Sequence, residues 1–294
     1  MDGSIAPVLA EARPLAILAG GGAVPLIVAA AAQRAGRPFI VVGISGEADR
    51  EIEAYPHRWV GWGEVGRLLL TLRATRTEDL ILVGRISSRP DYHGAPLDRG
   101  GVLARPAILR IFNGGDNSVL LGAVRLFETR GFNIIGAHEI ARELVVSAGW
   151  LGRVEATPRD LRDGESAFAA AKMIGRLDIG QAAVAVGGRV VALEGAEGTD
   201  GMLERVAALR AAGRIVSHGF AGALAKCAKP HQDLRVDMPT IGPETIRAAA
   251  AAGLAGVVVE AGRVMIAERE ATIRLANTLG LFLVAREDGD EARG

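Results

Sequence analysis

Cysteine is almost missing from this chain: Cys227 is the one thiol in 294 residues. That excludes an internal disulfide framework and a cysteine-rich zinc site. Aromatic residues are scarce at 4%, so the core falls to Ala, Val, Leu and Ile. Net charge is absent too, with 34 Lys and Arg against 34 Asp and Glu. Such a balance offers no electrostatic capture of nucleic acid, and no basic run marks a membrane-surface patch. Long apolar runs are lacking. The most apolar stretch, Ala23 to Ala32, is far too short to span a bilayer. Met1 to Pro14 shows neither a basic n-region nor an apolar h-region. The expectation is a soluble, cytoplasmic protein that binds no nucleic acid.

Several catalytic signatures are missing as well. There is no Gly-x-Ser-x-Gly elbow and no Walker loop, which argues against serine hydrolases and P-loop NTPases. His138-Glu139 opens a zinc-protease motif, but Arg142 stands where the second histidine belongs. The plain reading of that pair is a helix N-terminus. Gly20-Gly21-Gly22 lies between an apolar run and a helical pattern, where backbone amides receive phosphate or a sugar. It departs from the dinucleotide fingerprint, because Pro25 takes the third glycine position. Glu47 and Asp49 are poor candidates for the acidic residue that would follow the second strand.

What is present is a well-patterned globular chain, 49% hydrophobic and 23% charged. Its length favours two domains. Residues 1–14 read as a flexible tail. From 15 to 146, strands at Leu15–Ala19, Phe39–Val42, Leu80–Val83 and Phe132–Ile135 alternate with helices after Gly22 and over Glu64–Arg73 and Asn117–Thr129. That alternation predicts a Rossmann-like parallel sheet with helices on both faces. Residues 147–159 carry Gly149, Gly152 and Pro158 without periodicity and read as a linker. Residues 160–294 predict a mixed α/β domain. It has one hairpin at Gly187-Gly188 and a second over Gly256–Ala267 turning at Ala261-Gly262. A helix from Thr199 is expected to be capped by that hydroxyl.

The chemistry concentrates in Lys226 to Gly242. This span holds Lys226, Lys229, His231, Asp233, Arg235 and Asp237, stiffened by Pro230, Pro239 and Gly242. Cations and carboxylates on a rigid loop suit a phosphate site: the cations balance its charge, and a carboxylate holds a hard metal or orients water. Alternation in an extended segment would put Arg235 and Asp237 on one side, and their plain reading is a structural pair. Asp178, Glu194, Glu197 and Asp200 each read alone as surface charges. As a group, the last three follow a buried strand and precede a helix, where ligand sites of α/β folds lie. Cys227 reads as a small buried apolar residue, with no histidine partner.

The chain resembles the LpxI type of UDP-2,3-diacylglucosamine pyrophosphatases of lipid A biosynthesis. The resemblance covers nearly the whole chain. It rests on Leu18–Gly22, Gly136-Ala-His-Glu139, Leu177-Asp-Ile-Gly-Gln181, Glu197–Met202, Lys229–Asp233 and Arg235–Gly242, of which the last three are the most specific. It implies hydrolysis of the substrate diphosphate to UMP and 2,3-diacylglucosamine 1-phosphate (lipid X) with Mg2+. It places the catalytic aspartate at Asp237. Arg235, Lys226 and Lys229 would supply the neutralising charge. Asp237 and Asp200 are the metal-ligand candidates. Gly20, Gly21, Gly22, Arg89, His138, Gln181, Glu197, Thr199 and Asp200 are the substrate-binding candidates. Arg89 is the weakest of these, since Ile86-Ser-Ser-Arg-Pro90 carries an extra polar residue relative to the family pattern. Met238 replaces a commoner leucine, a conservative swap.

The expected partner is the acylated nucleotide sugar, with transient contact at the inner membrane surface and a homodimeric state. The alternative is a nucleotide-sugar-binding or NAD-dependent α/β protein without hydrolytic activity, or a scaffolding protein with a vestigial site.

Overall fold

A computed structural model describes residues 12–86, 97–103, 116–217, 219–230 and 232–288. Arg89 and His231 lie outside the described residues. The chain divides into two compact units, Met1–Ala141 and Arg142–Gly294.

The first unit is built on a parallel five-stranded sheet of order β3-β2-β1-β4-β5. Its strands are β1 Leu15–Ala19, β2 Phe39–Ile44, β3 His57–Val60, β4 Asp79–Val83 and β5 Asn133–Ile134. The helices are α1 Ala23–Arg34, α2 Val65–Ala74, α3 Asp116–Glu128 and the single turn α4 Ala137–Ile140. Leu15, Ala16 and Ile17 on the central strand are at most 1% exposed, as a continuous apolar run between two neighbours requires. The order is that of the first five strands of a dinucleotide-binding sheet, and it reverses between β1 and β4. The glycine loop leaves β1 at this reversal. There Gly21 and Arg85 exchange backbone hydrogen bonds of 2.8 Å in both directions. A Cβ on Gly20 would meet the Arg85 carbonyl oxygen at 2.5 Å, so glycine is needed here for close approach. Strand β3 carries His57 and Arg58 and pairs only with β2; an edge position tolerates such polar residues and hides the strand from a hydrophobic pattern.

The second unit carries a mixed six-stranded sheet of order β6-β13-β11-β9-β7-β8. Its strands are β6 Gly149–Trp150, β7 Ala182–Val186, β8 Arg189–Leu193, β9 Ala223–Lys226, β11 Gly256–Glu260 and β13 Phe282–Arg286. A separate two-stranded sheet pairs β10 Thr240–Ile241 with β12 Met265–Ile266. The helices are α5 Pro158–Arg176, α6 Gly198–Ala211, α7 Pro243–Ala251 and α8 Arg269–Leu279. Gly187 and Gly188 both have positive φ, 64° and 78°, as the predicted hairpin between β7 and β8 requires.

Alternation divides this sheet into two buried faces. Ala182, Val184, Leu224, Val257 and Val259 pack in the larger cluster with Met202, Leu203 and Val206 of α6. Ala183, Ala185, Ala223, Ala225 and Val258 pack with Ala167, Phe168 and Ala171 of α5. Small side chains on both faces answer the shortage of aromatics and let α5 lie close to the sheet. Gly164 sits at that contact, where a Cβ would come within 2.9 Å of Val258.

Three expectations need correcting. The stretch 147–159 holds an edge strand, since Trp150 pairs antiparallel with Val284; its last residues form the start of α5, where Thr157 accepts a hydrogen bond from the Asp160 amide. There is no second hairpin. β11 pairs parallel with β9 on one side and β13 on the other, so neither edge is left for β12. Finally, Thr199 does not cap α6, which starts at Gly198 after Glu197. Among the described residues no helix is long and apolar enough to cross a membrane.

Candidate active site

The candidate residues of the second unit meet at one end of its sheet. Parallel strands β9 and β11 end there, and antiparallel β7 begins there, with Ala182 opposite Lys226. Ligands of open α/β sheets bind at the carboxyl ends of such strands.

Lys226 is the centre of the arrangement. Strand alternation puts it on the Leu224 face, toward α6. It is 8% exposed, and its Nζ donates to Thr199 Oγ1 and to the Thr240 carbonyl, both at 3.0 Å. Burial pushes its pKa below the ordinary lysine value, against the opposing pull of the Glu194, Asp200 and Asp237 carboxylates. Three carboxylates thus favour the charge of one buried ammonium. Glu194 is itself buried and committed, accepting from the Gln181 amide and the Thr199 hydroxyl, each at 2.8 Å. Asp200 is exposed at the first turn of α6, and Asp237 is half-buried. No described residue donates a hydrogen bond to the Asp237 carboxylate.

The loop after β9 is folded rather than extended. The amides of Val236 and Asp237 both donate to the Asp233 carbonyl, at 3.1 and 2.9 Å. The expected alternation of Arg235 and Asp237 therefore does not apply. Arg235 pairs with Asp233, its Nε and Nη2 reaching the two carboxylate oxygens at 2.9 and 2.7 Å. This pair holds the Asp233 carboxyl below the usual range. Lys229 donates to Asp178 at 2.7 Å. Glu197 accepts from Arg205 at 2.6 Å. Gln181 lies 3.5 Å from Gln232, whose other amide atom accepts from the Lys229 N–H at 3.0 Å. Cys227 is buried and burial pushes its thiol pKa well up, consistent with an inert apolar residue.

The remaining candidates belong to the first unit. The amides of Gly20, Gly21 and Gly22 donate to the Val83 carbonyl, the Arg85 carbonyl and the Asp49 carboxylate, at 2.9, 2.8 and 2.7 Å. The acidic residue after β2 thus sits on the helix N-terminus, where a pyrophosphate would bind. His138 Nδ1 is buried without a hydrogen-bond partner among the described residues.

One feature had no clear sequence signal. A cleft of about 590 Å³ opens beyond the ends of β2 and β3, lined by Ser45, Trp62, Glu64 and Asp98 among others. Asp98 caps α2 by accepting from the Gly66 and Arg67 amides at 3.1 and 2.8 Å. Burial raises its pKa, but those amides and that of Gly101 outweigh this and hold it low. The Gly61-Trp62-Gly63 turn was the only hint.

Fold and site together define a two-unit α/β protein in which a parallel sheet precedes a mixed sheet bearing a lysine–carboxylate centre. Residues 14–144 match the LpxI N-terminal domain and residues 147–284 the LpxI C-terminal domain. The chain belongs to the LpxI family. A relative from Caulobacter vibrioides, the UDP-2,3-diacylglucosamine pyrophosphatase LpxI, is 43% identical over 272 residues, covering 92% of this chain and 97% of the relative.

Proposed function

We propose that this chain hydrolyses UDP-2,3-diacylglucosamine to 2,3-diacylglucosamine 1-phosphate and UMP in lipid A biosynthesis. The observation that carries the reading is the buried Lys226 at the strand ends, hydrogen-bonded to Thr199 and to the Thr240 carbonyl, within a chain 43% identical to a pyrophosphatase of that name. Lys226, Lys229 and Arg235 neutralise the diphosphate. Lys229 and Arg235 rest on Asp178 and Asp233, and the substrate anion takes over as their counterion. Asp237, whose carboxylate receives no hydrogen bond from a described residue, holds the metal or orients the attacking water.

Magnesium fits this donor set. The residues offer hard carboxylate oxygens and no thiolate, and among the described residues no cluster of three or more His, Cys, Asp or Glu forms a metal cage. Magnesium commonly uses one or two carboxylates and keeps its waters. Asp237 and Asp200 would hold it, and it would supply polarisation of a phosphoryl oxygen. On the first unit, His138 Nδ1 is suited to a substrate hydroxyl. The glycine loop meets substrate by shape, since its amides are engaged. Gln181, Glu197 and Thr199 complete the binding set. A homodimer and transient contact with the inner membrane surface, where an acylated substrate resides, belong to the same proposal.

Asp49 on the Gly22 amide counts against an NAD-binding reading, because it occupies the pyrophosphate position. The test is release of UMP from UDP-2,3-diacylglucosamine, with enzyme stripped by EDTA and resupplied with single metals. UMP is expected with magnesium or manganese and not without metal. Absence of UMP under every condition contradicts the function. Full turnover in a preparation shown to be metal-free removes only the metal.

A further inference from the structure

The catalytic loop is anchored from the opposite face of the sheet by a charge cluster that takes no part in the chemistry above. Glu260 ends β11, next to β9, where Val259 is in register with Lys226. Alternation places Glu260 on the Val258 side, under α5, while Lys226 faces α6. Its carboxylate is 1% exposed. One oxygen takes Lys172 of α5 at 2.9 Å, with Arg263 at 3.3 Å. The other accepts the backbone N–H of Ala228 at 2.8 Å. Lys172 also reaches Asp288 at 2.8 Å. Burial opposes the Lys172 charge, but bonds to Asp288 and Glu260 outweigh this and hold its pKa above the ordinary value.

A buried ion pair is weak evidence for stability, because desolvation offsets much of the attraction. What distinguishes this one is the backbone amide. Three successive amides after β9 have separate acceptors: Cys227 donates to the Gln181 carbonyl at 2.9 Å, Ala228 to Glu260, and Lys229 to Gln232 at 3.0 Å. They set the path of the chain between the Lys226 and Lys229 side chains. Only the middle acceptor is a charged side chain from another strand.

We propose that Glu260 is a positioning residue: by fixing the Ala228 amide it sets the spacing of Lys226 and Lys229 about the diphosphate. Lys172 holds the carboxylate in place and is secondary. This rests on the proposed hydrolysis, and a shift of about 1 Å in groups facing the reacting centre is enough to cost about 10²-fold in rate.

The test compares Glu260→Ala, Glu260→Asp and Glu260→Gln in the full-length protein, with UMP release from the wild type as control. Folding is checked by circular dichroism and thermal melting. The Gln variant keeps an acceptor of full length for the Ala228 amide. Its kcat is expected within about 3-fold of wild type, while the Ala variant falls by about 10-fold or more with KM little changed. If Ala does not fold, Asp serves, because it keeps the charge but falls short of the amide, and the same loss of kcat is expected. A folded Ala or Asp variant with wild-type kcat overturns the inference. So does a Gln variant as poor as Ala, which would make charge and not the amide bond the important feature. Failure of the wild type to release UMP would refute the function and leave this inference without a reaction.

Discussion

Asp237 and Asp233 are four residues apart on the same loop and have opposite characters. Asp233 is tied to Arg235 by a two-bond fork and accepts the turn amides through its carbonyl. Asp237 receives no hydrogen bond from a described residue, and its charge favours the protonated Lys226. Asp237→Ala is expected to lower kcat by about 10² to 10⁴-fold, the loss typical of a general base or metal ligand. Its melting temperature should stay close to wild type. More than about a tenth of the wild-type rate would remove Asp237 from the centre of the mechanism. Asp233 gives a stability prediction instead. Its folded pKa lies below the unfolded one, so its contribution is complete above the unfolded value, near pH 3.9, and is lost as pH falls through the folded value. The difference in melting temperature between wild type and Asp233→Asn should be constant from about pH 6 to 5 and shrink only below about pH 4. A difference that already fades between pH 6 and 5 would contradict the pairing. The catalytic role proposed for Asp237 comes from the family resemblance, since the local sequence read it as half of a structural pair with Arg235. Its separation from Arg235 was not legible, because period-two alternation fails where Asp233 folds the chain back.

The hairpin of β7 and β8 was legible because two glycines between apolar runs have one economical use. What holds it in place was not. Asp163 of α5 is fully buried, and its two oxygens accept the Gly187 and Gly188 amides at 2.8 and 2.5 Å. Nothing in sequence links a helical aspartate to a turn more than twenty residues later. Asp163→Ala strands both amides, and a loss of roughly 2 kcal/mol or more is expected, or a fall in Tm on the order of 5 °C. The turn lies at the far end of β7 from Gln181, so the kcat of the folded variant should match wild type. Unchanged stability would show that the two bonds are replaced by water. The missing second hairpin teaches the converse. Gly262 follows a run of valines, and in isolation that reads as a turn between paired strands. The partners of β11 come instead from distant strands β9 and β13, a long-range choice that local pattern does not encode. Thr199 failed as a cap because the helix already begins at Gly198, which leaves Thr199 inside its first turn.

The whole molecule follows its composition closely. With few aromatics, the second unit builds two tight layers from Ala and Val, and its faces can be read from alternation along β7 and β9. The division after Ala141 lies a few residues before the glycine-containing stretch expected to be a linker. That stretch is short of periodicity because β6 is a two-residue edge strand, too brief to leave a pattern. The candidate site could be drawn from sequence as a list of charged residues in the loops of the second unit. It was not legible as a centre, since Lys226 owes its role to burial among groups brought from β8, α6 and the loop. Glu260 was invisible because it reads as the last residue of an apolar strand. Resemblance to the LpxI family implies that water attacks the glucosamine-linked phosphorus of the proposed substrate. Attack at either phosphorus gives the same two products, so product analysis alone leaves the position open. Turnover in oxygen-18 water followed by mass spectrometry of both products decides it. Label is expected in the 2,3-diacylglucosamine 1-phosphate, with UMP unlabelled. Label in UMP would contradict this expectation and move Asp237 to the nucleotide side of the diphosphate.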